Sequence, residues 1–242
     1  MKKVSGPVAL LCLGVTVLAC GSPSSGEGAA TTTTVPSEWP MYSHDPGHTN
    51  TNPQEVTLSP AGVSALGPIF QVNIGSHIVN SFAYFSNSTP TISGGTVYVG
   101  SATSTGNNFF AFNAATGAAL WAANLGYAYA DACGPFDNVG IPSTAAVSGN
   151  ILAVGGGDGA YYGVDAGSGA VLWRVPLNAG GSGYSWSSPV ILGQRVYWGV
   201  ASQCDNPPVR GRVQVVNLAS GNPVGQQFFG PPGGRGGGVW NS

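Results

Sequence analysis

Charge is what this sequence has least of. Only 7% of its 242 residues are Asp, Glu, Lys or Arg, against roughly a quarter in ordinary soluble proteins. Seven Lys and Arg stand against nine Asp and Glu, and the only lysines, Lys2 and Lys3, lie at the extreme N-terminus. A chain this poor in cations has no electrostatic footprint for a phosphate backbone, so nucleic acid is not an expected partner. Several chemical signatures are missing as well. There is no Cys-x-x-Cys and no His beside Cys133 or Cys204, which argues against a zinc site. No Gly-x-Ser-x-Gly elbow supports serine hydrolysis. The run Gly155 to Gly159 lacks the Lys-Ser or Lys-Thr of a phosphate loop and reads as a hairpin turn. His44 and His48 have a helical zinc spacing, but Pro46 and Gly47 between them break that helix and leave a turn or an entry strand.

No apolar run is long enough for a membrane-spanning helix; the longest, Val8 to Ala19, suits the core of an export signal, with Lys2 and Lys3 before it. Val17-Leu18-Ala19-Cys20 resembles the bacterial lipobox, which implies a lipid on Cys20. The alternative is a plain signal cut near Ala19, with Cys20 a spare thiol. Residues 1–19 are thus read as signal and 20–38 as tether, since Gly21 to Pro36 is small and polar and cannot build a core. Residues 39–242 are the folded part. The expected location is the cell envelope, facing the periplasm or exterior, with the membrane reached through the lipid. Once Cys12 and Cys20 are set aside, Cys133 and Cys204 remain. Export permits them to form a disulfide, and two free thiols are the other outcome.

What the sequence has in abundance is turns: 39 Gly and 18 Pro punctuate short runs of Val, Ile, Tyr, Phe and Trp. Three segments repeat. STPTISGGTVYVGS starts at Ser88, STAAVSGNILAVGG at Ser143 and SSPVILGQRVYWGV at Ser187. Each is followed by a second pair of strands, FAFNAATGAALW from Phe110, YGVDAGSGAVLW from Tyr162 and QVVNLASGNPVG from Gln214. The first halves start 55 and 44 residues apart and the second halves recur every 52, a period suited to a four-stranded propeller blade. The fold class expected is therefore all-β, an incomplete propeller of four-stranded antiparallel blades, three full and others partial. Trp121 and Trp173, closing two fourth strands, are expected to pack between blades. GPIFQVNIG, ending at Gly75, reads as the outer strand of a preceding blade, and Gly238 to Ser242 matches the opening of the third unit. Because the repeat breaks off there, the chain reads either as a fragment of a longer propeller or as a short product that covers its edges by association.

The blade pattern SxPxxxGGxVYVGS, then YxxDAxTGxxLW, resembles the repeat of quinoprotein alcohol dehydrogenases. The lead-in Trp39 to Asp45 with His48-Thr49-Asn50 is similar to that of polyvinyl-alcohol-dehydrogenase-like propellers. This resemblance implies pyrroloquinoline quinone with Ca²⁺ on the propeller axis and a carboxylate base acting on an alcohol. The adjacent Cys-Cys pair of many such enzymes is absent, and no Asp aligns with the catalytic one, so whether the chain is an enzyme stays open. Candidate cofactor residues are Trp186, Asp131, Asp137, Asn138, Asp205, Asn206 and Arg210; as Asp-Asn and Pro-rich stretches, the loops that carry most of them are also ordinary turn formers. Two functions follow. One is a quinone-dependent dehydrogenase or part of one; the alternative is a non-catalytic propeller scaffold for protein binding or envelope assembly.

Overall fold

The computed structural model describes residues 38–75, 80–81, 84–103, 105–127, 140–177, 183–202 and 208–240. The signal, most of the tether, Cys20, Cys133, Cys204, Asp131, Asp137, Asn138, Asp205 and Asn206 lie outside the described residues. A short ribbon, β1 (Asn80–Ser81) with β2 (Tyr84–Asn87), precedes three antiparallel sheets. The first blade is β3 (Thr91–Ser93), β4 (Thr96–Gly100), β5 (Phe109–Asn113) and β6 (Ala119–Ala123) in sequential order. The second is β7 (Ala146–Ser148), β8 (Ile151–Gly155), β9 (Tyr161–Asp165) and β10 (Val171–Val175). The third is β12 (Val190–Leu192), β13 (Arg195–Ser202), β14 (Arg212–Asn217) and β15 (Pro223–Phe228), with β11 (Gly183–Tyr184) paired to the far end of β13. The first strands β3, β7 and β12 approach one another in turn, so they are the inner strands. The expected all-β propeller of four-stranded blades is what forms.

Each blade's last hairpin is closed by the same device. Asn113 Oδ1 accepts from the amides of Ala115 and Thr116, Asp165 Oδ1 from Ser168, and Asn217 Oδ1 from Ala219 and Ser220. The glycine that follows, Gly117, Gly169 or Gly221, then takes a positive φ of 69–75° that a side chain would strain. Three residues after that glycine, in each outer strand, the ladder slips, bulging out Leu120, Leu172 and Val224. The slip turns the next residue, position 121, 173 or 225, across the third strand.

Those glycines are also where blades meet. A Cβ on Gly169 would lie 2.6 Å from the Trp121 ring, and one on Gly221 would lie 2.7 Å from Trp173. Each indole N–H then donates to a carbonyl of the following blade, Trp121 to Ala166 and Trp173 to Leu218, both at 2.8 Å. Trp173 is buried and Trp121 partly so, as the repeat predicts. Around them, one core cluster joins the first two blades through Tyr98, Phe109, Leu152 and Val164, and another joins the second and third through Tyr161, Trp173, Trp198 and Val216. Phe70 occupies the same relation to Gly117, 2.7 Å from its notional Cβ. Residues 70, 72 and 74 are partly buried and 69, 71 and 73 exposed, so this segment is extended, as GPIFQVNIG suggested.

The lead-in meets two blades. Trp39 pairs with Ile92 of β3, and Pro40 O accepts from Val147 of β7, so Glu38 to Met41 runs along two inner strands at once. Met41 ends buried in the second core cluster.

Candidate functional site

Strand direction sorts the connections. In an antiparallel blade the link from second to third strand and the link to the next blade leave from one end, and the two tight hairpins sit at the other. The loop end therefore receives the connections 101–108, 156–160 and 203–211, together with 124–145, 176–189 and 229–240. The described candidates Trp186 and Arg210 belong to these connections, and loops are where functional residues concentrate.

The frame beneath these loops is a set of short-side-chain contacts between blades. Thr89 N donates to Thr144 Oγ1 (2.9 Å), Thr91 Oγ1 to Ala145 O (2.7 Å) and Thr144 N to Ser188 Oγ (3.1 Å). Within each repeat, Ser143 and Ser187 accept from a glycine of the second strand, Gly155 or Gly199, at 2.7 Å. That glycine lets the next blade come close: a Cβ on Gly100 would strike Ile141 at 2.5 Å, one on Gly155 Ser185 at 2.7 Å, and one on Gly199 Val239 at 2.4 Å. Val239 and Trp240 thus sit on the third blade as Ser185 and Trp186 sit on the second. Ser185 Oγ is fully buried and has no hydrogen-bond partner among the described residues.

Of the candidate set, Trp186 and Arg210 are described. Trp186 is 3% exposed. Its indole N–H donates to Ser202 O at 3.0 Å, and its ring packs on Tyr184 at 4.6 Å and on Trp240 at 5.9 Å between centroids. Arg210 Nε donates to Gly230 O at 2.8 Å, and its guanidinium lies 4.0 Å from the centre of the Phe228 ring. Its backbone pairs with Gly236, so this arginine ties the loop 203–211 to the segment leaving the third blade. A flat quinone needs an open aromatic face and a divalent cation needs converging oxygen ligands. Trp186 has no open face, and among the described residues no three His, Cys, Asp or Glu side chains converge. The described members of the set do not fit a quinone cradle, and no step of chemistry is routed through one.

Sequence reasoning passed over one charged group at the same end. Asp158, in the turn read only as a hairpin, pairs with Arg174 of β10 at 2.6 Å and accepts from the Tyr162 hydroxyl at 2.9 Å. Arg174 Nε also donates to that hydroxyl at 3.0 Å. Burial, with the Asp158 charge adding to it, pushes the Tyr162 hydroxyl up to about 12, while its bond to Arg174 acts the other way. The glycines around Asp158 have their own reason: Gly157 N donates to Leu125 O, and a Cβ there would meet Gly126 O at 2.4 Å. The available signal was an Asp in a glycine-rich turn and the repeat's one Arg facing each other in a nearly uncharged chain.

Comparison with known proteins agrees with this architecture. Residues 111–224 match a family profile described as outer membrane protein assembly factor BamB, of the PQQ-like repeat type. Among solved structures, quinohemoprotein alcohol dehydrogenase from Comamonas testosteroni is similar at 22% identity and a TM-score of 0.63, over 79% of this chain and 27% of that one. The quinohemoprotein alcohol dehydrogenase ADHIIG from Pseudomonas putida HK5 is similar at 19% identity and a TM-score of 0.64, over 81% and 27%. A europium-containing methanol dehydrogenase is similar at 19% identity and a TM-score of 0.61, over 79% and 32%. The chain spans between a quarter and a third of these enzymes' lengths, and identities this low speak for the fold alone. No curated protein sequence matches. With its three four-stranded blades and a profile match over residues 111–224, just under half of its length, the chain has the fold of a four-stranded-blade β-propeller and is similar to PQQ-like, BamB-like repeat proteins.

Proposed function

We propose that this chain is an exported propeller scaffold that holds a protein partner at the cell envelope, anchored by lipid on Cys20 through the tether 20–38. The observation that carries this reading is Trp186. The aromatic side chain best placed by sequence to floor a quinone is buried, bonded to Ser202 O and packed on Tyr184 and Trp240. It works as a joint between the third blade and the segment beyond. The family profile, described as an assembly factor, supports the same reading. On this view the polar loop-end residues Asp131, Asp137, Asn138, Asp205 and Asn206 face a protein surface rather than Ca²⁺. A Cys133–Cys204 disulfide would hold two of those loops together, and mass under reducing and non-reducing conditions reports it directly.

The test has two arms. Purified chain is titrated with pyrroloquinoline quinone and Ca²⁺, following absorbance and dye-linked alcohol oxidation. A flat response is expected, and saturable binding with turnover would replace the scaffold with a dehydrogenase. In cells, a photo-crosslinking residue at position 210 should capture one discrete envelope protein. A lysine-directed reagent is unsuitable, because the lysines stop at Lys3. Absence of any discrete adduct counts against partner binding at the loop end. Cys20→Ala should release the chain from the membrane fraction.

A further inference from the structure

The lead-in that runs along β3 and β7 folds back on itself in a way no blade does. Among the described residues, the non-glycine positions with positive φ are Ser43 (57°), His44 (80°), His48 (52°) and Asn50 (54°), all within eight residues. Backbone of this kind persists only where surrounding contacts hold it, and it gathers at ligand clamps and switches. Here the contacts are explicit. Asp45 Oδ1 accepts from Gly47 N at 2.8 Å, Asn50 N donates to Ser43 O at 3.0 Å, and Asn52 Nδ2 reaches back to Glu38 O at 3.3 Å.

What this loop holds is a pair of aromatic rings. His44 stands edge-on to Trp39, with centroids 5.1 Å apart and planes at 74°; His48 stands likewise to Tyr42, at 5.8 Å and 82°. Trp39 and Tyr42, with Ser43 and Asn50, line a cavity of about 360 Å³ whose other wall is Thr89 and Pro90 at the head of β3. That volume is at the low end for small-molecule sites, about 300–1,000 Å³. Trp39 Nε1, the Tyr42 hydroxyl and Ser43 Oγ have no hydrogen-bond partner among the described residues. Asn50 uses its Nδ2 on His48 O and keeps Oδ1 available.

The lining decides the class of ligand. None of these residues is Asp, Glu, Lys, Arg or His, so an ion would enter without a counter-charge. A wholly apolar ligand would strip water from three donors and an amide oxygen and return no bonds to them. A pyranose ring meets both conditions, since its C–H face covers an aromatic ring and its hydroxyls both donate and accept. From this pairing we propose that the lead-in cavity is a binding site for a neutral sugar residue of a glycan, stacked on Trp39 or Tyr42 and bonded through Tyr42, Ser43 and Asn50. The site is separate from the loop-end residues Trp186 and Arg210 and does not depend on the role given to them.

The probes are cellotetraose and tetra-N-acetylchitotetraose, titrated into the purified chain by calorimetry, with the Trp39 indole N–H followed by NMR. Saturable binding of at least one is expected, with a shift of that resonance. Tyr42→Phe keeps the ring and removes the hydroxyl. Asn50→Gly keeps the positive φ without strain and removes the amide. Each should weaken binding about tenfold and leave the melting temperature unchanged, which separates a lost contact from a lost fold. No saturable response to either sugar, or equal binding by both variants, would overturn the site. Equal binding of tetragalacturonate, with a carboxylate on every ring, would overturn the neutral-ligand assignment.

Discussion

The inner and outer faces of the third blade do not follow the same rule. On its inner side Trp173 reaches in from the second blade, rests on Gly221 and donates to Leu218 O. The residue facing Trp173 in its own blade is Gly163, whose notional Cβ would be 2.1 Å from the indole; in the first blade Trp121 faces Ala111. In the third blade that pair is inverted, with Gly225 facing Val215. The large residue has moved from the outer strand to its neighbour, so the outer face offers no indole to grip a following glycine. Ala153, Tyr161 and Gly163 on the second blade are buried, whereas their counterparts Tyr197, Val213 and Val215 on the third are half-exposed around a groove of about 340 Å³. At the opposite flank Phe70 still grips Gly117. The repeat thus carries its aromatic hook through three steps and drops it at the fourth.

The comparison breaks most easily at Trp173. Trp173→Ala should cost about 3–5 kcal/mol in chemical denaturation, for a buried indole and its hydrogen bond. Trp121→Ala, at a half-buried site, should cost about 2–3 kcal/mol, and Phe70→Ala about 1 kcal/mol. A flat series, or the reverse order, would mean that these contacts are not the joints between blades.

Gly221→Ala attacks the same joint from the receiving side, combining a positive φ with a Cβ pressed 2.7 Å from the Trp173 ring. The expected loss is about 2 kcal/mol. Because most of it arises from contact with the indole, the double variant with Trp173→Ala should lose less than the sum. Strict additivity would assign the glycine to its turn alone.

The second blade differs from its neighbours in carrying the Asp158, Tyr162 and Arg174 tie; position 162 corresponds to Phe110 in the first blade and Gln214 in the third. Tyr162 titrates from 10.0 in its ordinary state to about 12 in the fold. The fold therefore favours the neutral phenol. Its contribution is complete below pH 10 and is lost as pH rises from about 10 towards 12. Tyr162→Phe should remove that part of the alkaline loss of stability and cost about 1–2 kcal/mol at neutral pH, where the hydroxyl's bonds to Asp158 and Arg174 are lost, as melting curves across the range would show.

How much of this was legible follows from which forces act locally. The blades could be read because a tight turn that needs positive φ strongly favours Gly, and a strand between two sheets favours apolar residues, so each repeat restates the pattern in residues such as Gly117, Gly169 and Gly221. Trp121 and Trp173 were recognised as packing residues, although the glycines they rest on, 48 positions later, were not. The lead-in was read as a turn or an entry strand, but which strands it meets was invisible, since one bridge at Trp39 and one carbonyl at Pro40 leave no periodicity. Trp186 was chosen for its position in a loop, and its burial arises from Tyr184, Ser202 and Trp240, contacts that only the assembled blades create.

Gly225→Trp should have the smallest effect. It restores the hook on a face where no following glycine among the described residues receives it, so stability should stay within about 0.5 kcal/mol of the parent. Val215, opposite, takes the space that Gly163 leaves in the second blade, so the new indole would lie above the sheet instead of against it. Paired with Val215→Gly, it would be free to settle as Trp173 does. If the double variant alone gains stability or begins to self-associate, the inverted pair is what makes this face differ from the two joints behind it. If the single variant does so equally, the difference lies in what covers the face and not in its own residues.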